Sequence, residues 1–302
     1  MDAVIFDLGG VVLEWVPERA FEQVVDAAEV PRLMERIGFH EWNRGNDGRD
    51  SLAAAEDELV SLHPGEEVAI RGYRSHFAAT LTGMVPGTGA VIAELGQAGV
   101  PTTALTNWSG ELFPYARQRF GILGRFRDIV VSGREGVIKP DPRIFAIACE
   151  RAGFEPAATV FVDDSPANVA AARAFGLHGL HFRTADALRD DLVALGLLPP
   201  RRSLSVPVYH WAPRQEWERA LATGSYPWSG RGLGYDAEGF VHLSFAGQLT
   251  RTRERFYADL ADDDLVLLRL EPDGLPIVVE DGFPHLFAPL PLERATQVSA
   301  PA

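Results

Sequence analysis

Short, wholly apolar runs separated by longer amphipathic stretches fill the first two-thirds of the chain. AVIFDL (3–8), PTTALTN (101–107), DIVVSG (128–133), TVFVDD (159–164) and HGLHF (178–182) read as strands buried on both faces. Helical stretches with recognisable ends lie between them. GTGAVIAELGQAG closes at Gly99. PDPRIFAIACERAG takes Asp141 as cap, Pro142 in the first turn and Gly153 as stop. SPANVAAARAFG takes Ser165, Pro166 and Gly176 in the same roles. Strand–helix alternation predicts an α/β domain over residues 1–195, with a parallel sheet covered on both sides. Residues 15–85 break the rhythm: they look helical throughout and read as an insertion after the first strand. Residues 196–205, rich in Pro, Arg and Ser, read as a linker. An α+β unit over 206–302 follows. It has strand signals at VPVYHW, GFVHLSF, DLVLLRL and LPIVVE, and helix signals at PRQEWERALATG and AGQLTRTRERFYADL. With its own apolar strands, a fragment from about residue 203 is expected to fold alone.

Composition narrows the function classes. The net charge of −14 is spread over both halves, with 18 basic and 28 acidic residues up to 200 and 10 and 14 beyond. Neither half offers a nucleic-acid surface. The single cysteine, Cys149, excludes an intrachain disulfide. Met1 leads almost directly into a strand and no apolar run approaches a membrane span, so the cytoplasm is the expected address and no membrane partner is expected. All but one of the 28 basic residues are arginine; the exception is Lys139.

The polar residues that interrupt this pattern fall at strand ends, where open parallel sheets bind ligands. They are Asp7, Thr106-Asn107 and Asp163-Asp164, with Lys139 in GVIKPDP just before a helix. Taken singly they could be turn and cap residues. Together they suit phosphoryl chemistry. A carboxylate can attack phosphorus, a hydroxyl and an amide donate to phosphoryl oxygens, and a compact ammonium neutralises charge where a planar guanidinium would not fit. Carboxylates can also hold Mg²⁺ against the anionic transition state.

FDLGGVV, LTN, IKPDPRIF and FVDDSPANV, in this order, resemble the four motifs of the haloacid dehalogenase superfamily, mostly phosphatases, over residues 1–195. The resemblance implies a Rossmann-like sheet with a helical cap at about 15–85. It makes Asp7 the nucleophile and a Mg²⁺ ligand, Thr106 and Lys139 phosphate-binding and catalytic, and Asn107 a phosphate contact. Asp164 becomes a metal ligand, with Asp163 supporting the metal site and Lys139. Most phosphatases of the superfamily carry an aspartate at the position of Gly9, as acid and base; the dehalogenases tend to carry an aromatic residue. DLGGV resembles a subgroup that includes sugar-phosphate phosphatases. The Gly9 carbonyl can still bind Mg²⁺, but no side chain offers a proton, a loss of typically ~10²–10⁴-fold. Either the leaving group departs easily, so that phosphates with acidic leaving groups are cleaved best, or the cap supplies the proton. His40, Glu41, Asp47 and His76 lie in the right segment. Trp42 and Arg44, in FHEWNRGNDGRDS, are candidates for substrate contact.

The stretch from about 206 to 298 resembles an uncharacterised bacterial domain family whose fold is similar to the ADP-ribosyltransferases. That likeness implies polar positions at His210, at His242 or Ser244, and at Glu280, with His285 beside them, and NAD or a related nucleotide as ligand. A histidine in an apolar strand is also an ordinary core residue. The sequence therefore points to a cytoplasmic, Mg²⁺-dependent phosphatase of a small phosphorylated metabolite, such as a sugar phosphate. A 2-haloacid dehalogenase, or a weakly active phosphometabolite-binding protein with the second unit as effector, are the other readings.

Overall fold

A computed structural model describes residues 1–201 and 204–299; Arg202 and Ser203 of the expected linker, and residues 300–302, lie outside the described residues. The five expected strands are present as Ala3–Phe6, Thr102–Thr106, Ile129–Val131, Thr159–Asp163 and His178–His181. They pair in parallel. Ala3–Phe6 is central, flanked on one side by Thr102–Thr106 and then Ile129–Val131, on the other by Thr159–Asp163 and then His178–His181. The order reverses on either side of the first strand, which opens a crevice at the carboxyl ends beside it. Every residue of the three middle strands is buried, which explains why they show no alternation. The helix Pro142–Ala152 starts on Asp141, whose side chain accepts from the Arg143 N–H, and stops at left-handed Gly153. Ser165 caps Pro166–Phe175 without a side-chain bond.

The insertion is not helical throughout. Leu13–Trp15 and Leu81–Met84 form an antiparallel ribbon at its base. Above it, helices such as Phe39–Asn46 and Glu67–Ser75 pack around an aromatic cluster, with Phe39 and Tyr73 centroids 4.8 Å apart. The ribbon strands, three and four residues long, are too short for a period to show.

The C-terminal domain is α+β and carries small separate sheets. In one, Leu265–Leu270 lies between Val208–Pro213 and Thr296–Val298. In another, Phe283–Leu286 lies between Val241–His242 and Ile277–Glu280. The strands bearing His242 and Glu280 are therefore the edge strands of this sheet.

The two domains share one hydrophobic cluster that runs from Val4 and Ile122 to Phe240 and Phe287. A Cβ on Gly121 would lie 1.9 Å from the Ala237 carbonyl oxygen, so the second domain's backbone occupies the place of a side chain. Arg119 pairs with Asp236 at 2.7 Å. Arg125 makes a bidentate pair with Glu280 at 2.8 and 2.9 Å. Burial pushes the Glu280 carboxyl up, but hydrogen bonds from His285 and Arg125 outweigh it and bring it from the ordinary 4.5 down to about 2. A depressed carboxylate stabilises above its unfolded pKa, and that stability is lost as pH falls through the folded one. The shift corresponds to ~3 kcal/mol at neutral pH, lost between about pH 4.5 and 2. Denaturant melts of Glu280→Gln should show most of this loss at pH 7 and a flatter acid limb. An unchanged acid limb would remove Glu280 from the interface account.

Candidate active site

Asp7 follows the central strand directly, and its N–H is tied to the Val162 carbonyl of the neighbouring strand at 2.8 Å. Its Oδ1 accepts from the Leu8 N–H at 2.7 Å and lies 2.8 Å from Lys139 Nζ. The Lys139 ammonium is 2% exposed and also donates to Asp163 Oδ2 at 2.7 Å and the Leu105 carbonyl at 3.1 Å. Its three protons thus have three acceptors. Burial alone would lower its pKa, but Asp7 and Asp163 outweigh this and hold it above the usual value, so it is charged. Asp163 is buried completely and fully used: Oδ1 accepts from the Ser165 N–H at 2.8 Å, and Asn168 Nδ2 reaches both oxygens at 3.1 Å.

Asp164 stands exposed at the mouth. Gly10, at φ +72°, lets its carboxylate come in, since a Cβ there would lie 2.4 Å from Oδ2. Asp7, Asp163 and Asp164 each bring an oxygen within 4.8 Å of the others. Burial and the two neighbouring carboxylates push Asp7 up to about 7 against the pull of Lys139. Three carboxylates facing one ammonium leave uncompensated negative charge. This donor set suits a hard divalent cation. Asp163, its oxygens already engaged, serves the site by holding Lys139.

A cavity of about 130 Å³ lies between this floor and the cap. Asp7, Gly9, Thr106, Asn107 and Lys139 line it. Asn107 is less free than expected. Its Oδ1 accepts from the Lys139 N–H at 2.8 Å and its Nδ2 donates to the Lys139 carbonyl at 3.0 Å, so it clamps the loop that delivers the ammonium. Ser109 and Asn168 also line the cavity and were not singled out in the sequence. The Ser109 hydroxyl is buried without a partner. Asn168 lay in view, one turn into the helix that follows the paired aspartates.

Trp42 and Arg44 do not line this cavity. The Trp42 indole donates to the Ala55 carbonyl at 3.2 Å and packs edge-on against Tyr73, so it holds the cap together. Arg44 is exposed, as are His40, Glu41 and His76. Asp47 alone of the four acid–base candidates reaches the cavity.

The cap is laid down firmly on the core. The Arg49 carbonyl accepts from the Gly110 N–H at 3.3 Å, the Asp50 carbonyl from the Glu111 N–H at 2.7 Å, and the Leu52 N–H donates to Glu111 Oε2 at 3.0 Å. The Ser132 hydroxyl donates to the Asp47 carbonyl and accepts from the Trp108 N–H. Glycine makes this approach possible: a Cβ on Gly133 would lie 2.5 Å from the Arg49 carbonyl oxygen.

The second-domain candidates do not converge on one site. His210 is buried, with Nε2 2.7 Å from the Tyr226 hydroxyl and Nδ1 2.7 Å from the His242 carbonyl; burial lowers it to about 4, so it is a neutral core residue. The Ser244 hydroxyl meets Thr252 at 3.2 Å. Glu280 is spent on Arg125. His285 stacks on Phe240 at 4.0 Å with Nδ1 3.0 Å from Glu280, and His242 sits edge-on to both rings. Glu280 and Phe240 dock the domain on Arg125, whose guanidinium lies 5.9 Å from the Phe240 ring centroid.

Residues 1–176 match the family model described as haloacid dehalogenase-like hydrolase. Residues 211–298 match that of a protein of unknown function, DUF952. The sesquiterpene phosphatase astK of Aspergillus oryzae is 29% identical over 181 residues, 59% of this chain and 88% of its own length. A plasmid phosphoglycolate phosphatase of Cupriavidus necator is 29% identical over 225 residues, 66% of this chain and 94% of its own. The acyl-CoA dehydrogenase family member 10 of Mus musculus is 27% identical over 68% of this chain, which spans only 21% of that longer protein. Among solved structures, a predicted HAD-like family hydrolase from Porphyromonas gingivalis superposes with a TM-score of 0.50 at 21% identity, over 65% of this chain and 97% of its own, a likeness of fold.

Proposed function

The chain belongs to the haloacid dehalogenase-like hydrolases, and from that premise we propose that it is a Mg²⁺-dependent phosphatase of a small phosphorylated metabolite, a sugar phosphate in the first instance. The observation that carries the reading is the buried Lys139 ammonium, held between Asp7 and Asp163 at the carboxyl edge of the sheet. Asp7 would attack phosphorus, with Thr106, Lys139 and the unpartnered Ser109 hydroxyl taking the phosphoryl oxygens. Asp7, Asp164 and the Gly9 carbonyl would hold Mg²⁺, which supplies charge stabilisation to the phosphoryl group. Cap residues line the cavity beside the phosphate floor, so the cap is the part that would select the substrate. For the second domain, NAD or a nucleotide as ligand has little support, since Glu280 is spent on Arg125 across the domain interface, His285 is held by Glu280, and His210 is a buried core residue. A docking role fits these contacts better.

The test is phosphate release from a panel of sugar and alkyl phosphates with Mg²⁺, beside halide release from 2-haloacids. The expected result is phosphate release that EDTA abolishes and Mg²⁺ restores, with no halide released. Halide release without phosphate release would make the chain a dehalogenase. Neither product would leave it a binding protein.

A further inference from the structure

In-line displacement sets a direction. The leaving oxygen departs on the side of phosphorus opposite Asp7, which is the cap side of the cavity. Position 9 offers nothing there: it has no side chain, and a Cβ on Gly9 would meet no atom within 4 Å. Of the cap residues that line the cavity, Asp47 bears the only carboxyl group. Tyr73 also lines it, but its hydroxyl is committed to Asn43 Oδ1 at 3.1 Å, and burial and Asp47 raise its pKa further. Asp47 is fixed from two sides, its carbonyl by the Ser132 hydroxyl of the core and its carboxyl by Asn43 Nδ2 at 3.5 Å.

We propose that Asp47, reaching the cavity from the cap, is the general acid–base of this site in place of the side chain that Gly9 lacks; this rests on the phosphatase reading above. As the Asp7 oxygen bonds to phosphorus and the bond to the leaving oxygen breaks, the Asp47 carboxyl gives that oxygen its proton and the alcohol leaves neutral. In the second half, water bonds to phosphorus while Asp47 takes its proton. The bond from phosphorus to Asp7 breaks, and inorganic phosphate, the Asp7 carboxylate and the Asp47 carboxyl are regenerated. The titratable and charged groups facing Asp47 are Lys139, Asp7, Arg44 and Tyr73. Burial is the largest influence and Asp7 adds to it. They push Asp47 up to about 8 against Lys139 and Arg44, so the acid form is present at neutral pH.

The experiment uses the full chain with Mg²⁺ and follows Asp47→Asn, which keeps the shape and the Asn43 contact. Turnover of an alkyl phosphate and of 4-nitrophenyl phosphate should each fall ~10²–10³-fold. Nitrophenolate needs no proton to leave, so this ester should still give a burst of one nitrophenol per enzyme before stalling. The alkyl ester should give no burst. The alkaline limb of the wild-type profile, a fall in rate through about pH 8, should vanish in the variant. Gly9→Asp added to Asp47→Asn should recover alkyl phosphate turnover, because position 9 has room. Turnover within tenfold of wild type, or loss of the nitrophenol burst along with turnover, would overturn the role of Asp47. Wild type that releases no phosphate from any ester would overturn the phosphatase reading itself, which the variant result alone cannot do.

Discussion

Asp7→Asn should eliminate phosphate release, by at least ~10⁴-fold, while the protein stays folded. An amide has no charge with which to attack phosphorus. Its oxygen can still accept from the Leu8 N–H, and the Lys139 ammonium keeps Asp163 and the Leu105 carbonyl. Removing one of three clustered carboxylates also relieves repulsion, so the denaturation midpoint should hold or rise. Acid-quenched wild-type protein should carry a phosphoryl adduct by mass that the variant lacks. Turnover within a hundredfold of wild type, or an adduct in the variant, would show that another group is the nucleophile.

Lys139→Arg should be nearly as damaging, despite the kept charge. The ammonium fills a buried site with three acceptors between 2.7 and 3.1 Å. A planar guanidinium is larger, carries five donors in a fixed fork and cannot point them at the same three atoms. The expected loss is ~10²–10³-fold in turnover, on the scale of losing one preorganised electrostatic contact. Lys139→Met removes the charge altogether. It leaves Asp7 and Asp163 without their cation and should cost ~3–5 kcal/mol in a urea melt. If the arginine variant kept turnover within tenfold and the methionine variant melted like wild type, Lys139 would be only a loop residue.

The first domain was legible because its signals are local. Five apolar runs bounded by turn residues, and polar residues at their ends, fix strands and site together, since a parallel sheet brings those ends into one crevice. Asp141 and Gly153 marked a helix by the same local chemistry. What depended on distant contacts was not legible. The ribbon Leu13–Trp15 with Leu81–Met84 pairs residues some seventy positions apart, with too few in each strand to show a period. Trp42 and Arg44 looked like substrate residues because aromatic and basic side chains clustered in one segment; a helix turned one into the cap core and the other to solvent. Asp47 could not be told from His40, Glu41 and His76 until the backbone decided which faced inward. In the second domain the central strand Phe283–Leu286 carries Pro284, which argues against a central strand in sequence. His242, His285 and Glu280 then looked catalytic because nothing in the sequence pairs Glu280 with Arg125, 155 positions away.

The seam between cap and core bears on time as well as on shape. Gly110, Glu111 and Ser132 hold the segment 47–52 by five hydrogen bonds beside the cavity at Asp7. Any movement of the cap away from the core has to break them. At about 1 kcal/mol net for each bond, the seam alone resists such a movement by ~5 kcal/mol. A catalytic step that needs the cap to lift therefore runs slower than one that does not.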